Sequence, residues 1–258
     1  MTTLRAVSLP ADDPALAEAG RAARETFRFC WRHVSWRQRG VDPGLGPAMV
    51  KAAFPGAPGE PGTEHLWVEV ESFDGVTVAG PVLNEPIENS APSAGTPVEI
   101  RLADVEDWLY SVDGKACGGF TVQLIRLAMG RRQRRRHDRT WGLDFGRTGV
   151  ISLVPDEAMR ADTDEHPLSV AGRDRLRQII AEDPAVATRA DENGWTVLHQ
   201  EAVAGNATLV EVLLEHGADP HARLSGPGSL SGATALDLAV GMGWEHVAEA
   251  FTTRGGAR

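Results

Sequence analysis

The chain is poor in the residues that would place it in several common classes. It holds two cysteines in 258 residues, Cys30 and Cys117. That is too few for a disulfide framework, so both are expected as buried, reduced thiols. The longest apolar runs, such as 149–154, are far too short to cross a bilayer. The first fourteen residues carry neither the basic start nor the apolar stretch of a secretory signal. No His-Glu-x-x-His, Cys-x-x-Cys, Gly-x-Ser-x-Gly or phosphate-binding glycine loop occurs, so the familiar signatures of metal, thiol, serine and nucleotide chemistry are missing. The expectation is a cytoplasmic globular protein with no membrane partner, cofactor or metal. Its length allows one large domain or two small ones.

Lysine is scarce and the charge is unevenly placed. The formal net charge is -10, and lysine occurs only at Lys51 and Lys115. A general nucleic-acid binder needs clustered cations, so the overall balance disfavours that partner. Yet 126–139 holds seven arginines against one aspartate, while 162–219 is strongly acidic. The arginine cluster Arg131, Arg132, Arg134, Arg135, Arg136 and Arg139 could form a positive patch that docks an acidic protein surface or a phosphate backbone. It could equally be a solvated linker or the intramolecular match of the acidic half. No interleaved aromatics accompany it.

What the sequence does have is self-similarity. Thr196-Val-Leu-His199 is followed by Ala202, Gly205-Asn206, the apolar stretch 209–214 and Gly217-Ala-Asp219. Thr234-Ala-Leu-Asp237 repeats the start, with Ala239, Gly243 and a helix through Val247 and Phe251. His166-Pro-Leu-Ser169 opens a degenerate earlier copy. This pattern resembles the ankyrin repeat, whose period is about 33 residues. The first spacing is a little short, and the second is lengthened by an insertion placed at Leu224–Ser231. Thr196 and Thr234 stand where a hydroxyl caps a helix, and Gly217 where a helix ends in the left-handed region. The resemblance implies that His199 ties neighbouring turns together. Such units bury their apolar faces only against each other.

The N-terminal half changes period. Residues 13–38 show helical spacing of Leu16, Ala23, Phe27, Cys30 (or Trp31) and Val34. A Pro/Gly-rich stretch at 43–62 breaks regular structure, interrupted only by 49–54. Alternation at 65–71, 76–83 and 98–102 predicts strands, whereas 121–129 reads as either strand or helix. The fold class expected is α+β: an N-terminal helix plus a small antiparallel sheet or half-barrel, then an all-α ankyrin-repeat stack of about three units. The domains are placed at 1–155 and 162–258.

Val50-Lys-Ala-Ala-Phe54, Glu64-His-Leu-Trp67, Asn84-Glu-Pro86, Asp107-Trp-Leu-Tyr110 and Gly118-Gly-Phe-Thr121 occur in an order that resembles the bacterial YegJ-like domain of unknown function. That resemblance covers roughly residues 13–130. It implies an architecture sometimes joined to ankyrin repeats and brings no reaction with it. Asp107 is read as preceding a short helical corner. If Glu64, His65, Asn84, Glu85 and Asp107 converge, with Trp67 and Trp108 as walls, they make a polar pocket able to take a ligand. Alternatively, Asn84 and Asp107 satisfy backbone amides while the tryptophans pack the core. The reading is a protein-binding module, an adaptor or an immunity-type protein with a protein or peptide partner. The alternative is an enzyme, possibly metal-dependent, that uses the N-terminal pocket on a peptide recruited by the repeats.

Overall fold

A computed structural model describes Pro10 and residues 13–41, 44–57, 59–60, 62–87, 89–156 and 165–255. The chain divides into two units, one of Met1–Cys30, Arg37–Phe73 and Thr77–Glu157, the other of Trp31–Trp36, Asp74–Val76 and Ala158–Arg258. The boundary expected between 155 and 162 falls on 157–164, outside the described residues.

Helix α1 (Pro14–Gln38) opens with proline, whose missing N–H costs nothing in a first turn, and the Asp13 carboxylate accepts the Ala15 amide at 2.9 Å. Its buried stripe of Ala19, Ala23, Phe27 and Cys30 follows the helical period. In the first unit, β1 (Leu45–Pro55) pairs antiparallel with both β2 (Thr63–Glu69) and β6 (Val105–Val112), and β6 pairs with β7 (Lys115–Gly118). The order is β2-β1-β6-β7. A second sheet orders β3 (Ser72–Phe73), β4 (Thr77–Pro81) and β5 (Pro97–Arg101), and it continues from the first through a Val68–Val82 bridge.

Two central strands lie where the sequence suggested a break and a corner. The Pro/Gly stretch contains β1, because its bulge between Leu45 and Ala48 absorbs Gly46-Pro47. A side chain at Gly46 would meet the Ser111 hydroxyl at 2.3 Å. Strand β6, expected as a helical corner at Asp107, is buried on both faces and so does not alternate. Trp108 and Tyr110 stack on one face, where the Trp108 indole N–H donates to the Ala23 carbonyl at 2.9 Å. Leu109 joins Met49, Val122 and Phe145 in an apolar cluster on the other. Gly118 ends β7 at φ +78, where an added Cβ would lie 2.3 Å from the Trp108 carbonyl oxygen; only glycine fits there. The undecided segment becomes helix α2 (Phe120–Ala128), and the arginine run becomes helix α3 (Arg131–Trp141).

The second unit holds α4 (Pro167–Glu182), the pair α5 (Val197–Ala204) and α6 (Ala207–Glu215), and the pair α7 (Ala235–Met242) and α8 (Glu245–Gly255). The degenerate first copy is one continuous helix capped by His166, not a helix pair. Within this unit, Trp36 stacks on His166 at 5.8 Å. The Arg32 guanidinium sits 5.3 Å over the Trp244 ring, and both residues are almost wholly buried. A buried guanidinium over an indole keeps part of its stabilisation through the ring quadrupole. Among the described residues no helix is long and apolar enough to cross a membrane.

Candidate binding surfaces

The repeat edge is built from local boxes. Thr196 caps α5: its hydroxyl accepts the His199 amide, while the His199 Nδ1 accepts the Thr196 amide at 3.3 Å. The Thr196 Oγ1 and His199 Nδ1 lie 2.8 Å apart. Burial holds the His199 ring below the usual histidine range, against the opposing pull of the Ala222 and Ala233 carbonyls. Thr234 repeats the box with Asp237, whose carboxylate accepts the Thr234 amide at 2.9 Å and its hydroxyl at 2.8 Å. These bonds hold Asp237 below the ordinary carboxylate range. Gly217 follows α6 at φ +87.

A finger loop precedes each helix pair. In the first, Asp191 accepts the Asn193 and Trp195 amides at 2.9 and 2.8 Å. The second, at 219–233, carries the insertion as a small loop closed by Leu224–Ala233 and Gly232–Leu224 backbone bonds. The Asn193 carbonyl accepts the amides of Ser225 and Gly226, so the fingers are joined into one edge.

The proposed polar pocket separates into three places. Glu64 accepts the Ile87 amide at 2.8 Å, and Asn84 accepts the Trp67 amide at 2.9 Å; both serve the 83–96 loop, where Glu85 is exposed. His65 pairs with Glu106 at 2.7 Å. Trp67 meets Trp141 edge-on at 5.8 Å, while Trp108 packs on the opposite face of the sheet. Asp107 is fully buried and caps α2 from a distance. Its Oδ1 accepts the Trp108 and Phe120 amides, and its Oδ2 accepts the Thr121 amide, each at 2.8 Å, with the Thr121 hydroxyl at 2.6 Å. Burial pushes its pKa up to about 6, against the bonds from the Thr121 hydroxyl and the Phe120 and Thr121 amides and the nearby Lys51 charge. The N-cap of α2, Gly119, has no side chain, so a carboxylate twelve residues upstream does the work of a cap.

A network that the sequence reading counted only as charge lies beside it. Arg126, 3% exposed, makes a bidentate pair with Asp138 at 2.9 Å and also donates to the Gln123 amide oxygen at 2.7 Å. Burial raises Asp138, but the hydrogen bonds from Arg126 and His137 outweigh it and leave the carboxyl below its ordinary range. Arg134 donates to the Arg126 and Met129 carbonyls at 3.0 and 2.9 Å. The signal available was the single acid inside an arginine run. The remaining five arginines of the cluster, Arg131, Arg132, Arg135, Arg136 and Arg139, are exposed on α3.

A cleft of about 540 Å³ opens between Lys115, Cys117, Asp144, Ser152 and Asp156. Burial pushes the Cys117 thiol up to about 11, only partly offset by Tyr110 and Lys115, so it is no nucleophile at neutral pH. Cys30 is raised further by burial. Among the described residues, no three His, Cys, Asp or Glu side chains gather as a metal site.

Comparison with known proteins joins these surfaces to a family. Residues 13–145 match the family described as an uncharacterized protein conserved in bacteria, DUF2314. The chain belongs to this family. Residues 193–224 match the ankyrin repeat. The chain is 38% identical over 247 residues, 95% of each chain, to a Neisseria meningitidis serogroup B protein whose name describes an ankyrin repeat protein. It is 34% identical over 84 residues to the human NAD-capped RNA hydrolase NUDT12, covering 33% of this chain and 17% of that one. A mouse 2-5A-dependent ribonuclease is 41% identical over 49 residues, 19% of this chain and 7% of that one. No solved structure matches. A DUF2314 domain is thus combined with an ankyrin stack, a protein-interaction module.

Proposed function

We propose that this DUF2314 member is a cytoplasmic adaptor or immunity-type protein that covers a partner protein with its ankyrin edge. The observation that carries this reading is the joined pair of fingers. Backbone bonds from Ser225 and Gly226 to Asn193 make two loops one continuous ledge, and a pre-ordered ledge loses little entropy when a partner binds. The tips are polar and exposed, including Glu192, His221 and Ser225. The buried capping boxes beneath them fix their spacing. On this reading the domains at 1–155 and 162–258 divide the labour, the second presenting the ledge.

The test is cross-linking capture from the source cell, followed by binding between the purified full chain and the purified partner. Replacing Glu192→Lys and His221→Glu together is expected to weaken binding at least tenfold with an unchanged circular dichroism spectrum. A partner that binds the double variant as tightly as the parent sinks the ledge as the contact surface.

A further inference from the structure

Helix α3 has two faces of opposite kind. Arg134, His137, Asp138 and Trp141 recur at i, i+3, i+4 and i+7 and point inward. Arg134 holds the end of α2, Asp138 holds Arg126, and Trp141 meets Phe145 edge-on at 5.9 Å. The outer face repeats the same spacing with Arg132, Arg135, Arg136 and Arg139, and Arg131 adjoins it at the first turn. Among the described residues, none of these five guanidiniums has a carboxylate or any other hydrogen-bond partner.

This placement runs against local electrostatics. Like charges three and four apart on a helix destabilise it by about 0.2–0.5 kcal/mol per pair. Cations in a first turn oppose the helix dipole, and α3 has no acid there to balance Arg131 and Arg132. The chain has a net charge of -10, so acids to relieve the stripe are plentiful in composition. The inward anchors hold the helix in place despite this cost, which keeps the backbone positions of the arginines in fixed register. A row of unpaired, planar bidentate donors on one helix face is a recognition element for carboxylates or phosphates.

We propose that the outer face of α3 is a docking surface for an acidic segment of a partner protein, separate from the ankyrin ledge and independent of that reading. Size and charge select protein over nucleic acid. From Arg132 to Arg139 the stripe rises about 10 Å. A duplex carries a charge every ~1.7 Å along its axis, so it outruns the stripe within a few base pairs and meets an acidic protein. An acidic helix or extended segment presents four or five carboxylates over the same length and ends there.

The probe is a fluorescein-labelled decaglutamate peptide, with a 20-base-pair DNA duplex and a 20-nucleotide RNA of the same label as competitors in class. Anisotropy is read with the full chain at 20 mM and 200 mM salt. The expected result is saturable peptide binding at low salt, weakened at least tenfold at 200 mM and at least tenfold by the combined change R132Q/R135Q/R136Q/R139Q. The quadruple variant should melt no lower than the parent, since it removes like-charge pairs and no internal contact. A variant that melts lower shows the arginines to be structural and overturns the proposal. So does peptide binding that is absent or unchanged in the variant. Tighter binding of DNA or RNA than of the peptide overturns the choice of a protein partner.

Discussion

The two units bury polar groups by different rules. Among the helices α5 to α8 of the second unit the partners are either three to five residues apart or about one repeat apart, although His33 and His166 of the same unit meet across 133 residues. Thr196 with His199 and Asn206 with Glu201 are local pairs. Trp244 with Val203 and His246 with Gly205 each span 41 residues. In the first unit the spans follow no period: Asp107 to Thr121 is 14, Tyr110 to Leu153 is 43, and Trp108 to Ala23 is 85. A repeat solves the buried-polar problem once and copies the solution. A single-core fold solves each group separately, by whatever the topology brings near. The copied solution should therefore yield stepwise, similar losses when broken, and the bespoke one a few large and unequal losses.

The largest expected effect tests the copied rule at its strongest point. Trp244 is fully buried, its indole N–H donates to the Val203 carbonyl at 3.0 Å, and Arg32 lies over its ring. A Cβ on Gly205, which sits at φ +78, would come within 2.7 Å of that ring, so the repeat boundary is shaped around it. W244A should cost about 4 kcal/mol through the cavity and the unpaired carbonyl, read as a lower urea midpoint. A loss below about 1 kcal/mol would mean that the repeat boundary is not where this unit's cohesion lies.

The same contrast explains what could be read from the sequence. Helix α1, strands β2, β4 and β5, and the capping threonines were legible because their signals are local: an apolar period, or a hydroxyl three residues from its partner. Most of strand β1 is the expected interruption at 49–54, but its N-terminal end was hidden by Gly46-Pro47, whose meaning depends on a bulge opposite Ser111. Strand β6 was hidden by Asp107, a charge that no single-strand pattern places in a core. Its partners, the amides of Phe120 and Thr121, lie on an element whose helix-or-strand character the sequence left open. The candidate pocket failed to gather for that reason: Asp107 looked like a site residue and serves as a remote helix cap.

The units should also differ in pH response. Burial, with the Arg32 charge beside it, lowers the pKa of His33 in the second unit to about 4. An unfolded histidine binds its proton near pH 6.5, so acidification from about 6.5 to 4 favours the unfolded chain. Asp107 in the first unit is raised to about 6 from an ordinary 3.8. There the folded chain holds the extra proton between about 3.8 and 6, so stability falls as pH rises through that range. Each group contributes a slope of up to about 1.4 kcal/mol per pH unit, of opposite sign. H33Q should remove the acid-side loss, and D107N the loss on raising the pH from 4 to 6. Chemical denaturation at pH 4, 5, 6 and 7 reads both. Identical pH profiles for H33Q and the parent would show that the histidine does not titrate with folding.

The smallest effect is the sharpest test of copying. Thr196 and Thr234 make the same capping box, so a repeat rule with nothing added predicts equal losses of about 1 kcal/mol for T196A and T234A. The structure predicts inequality. The partner of Thr234 is Asp237, which is exposed and can turn to water when the hydroxyl is removed. The partner of Thr196 is His199, wholly buried, whose backbone N–H loses the threonine hydroxyl as acceptor and finds no water in its place. An orphaned buried donor adds about 1–3 kcal/mol to the loss of the cap. T196A should therefore cost about 2–3 kcal/mol and T234A about 1, with T196S close to the parent because the serine hydroxyl restores the box. Equal losses would mean that His199 relaxes freely, and that the repeat's inner edge is more plastic than its buried histidine suggests.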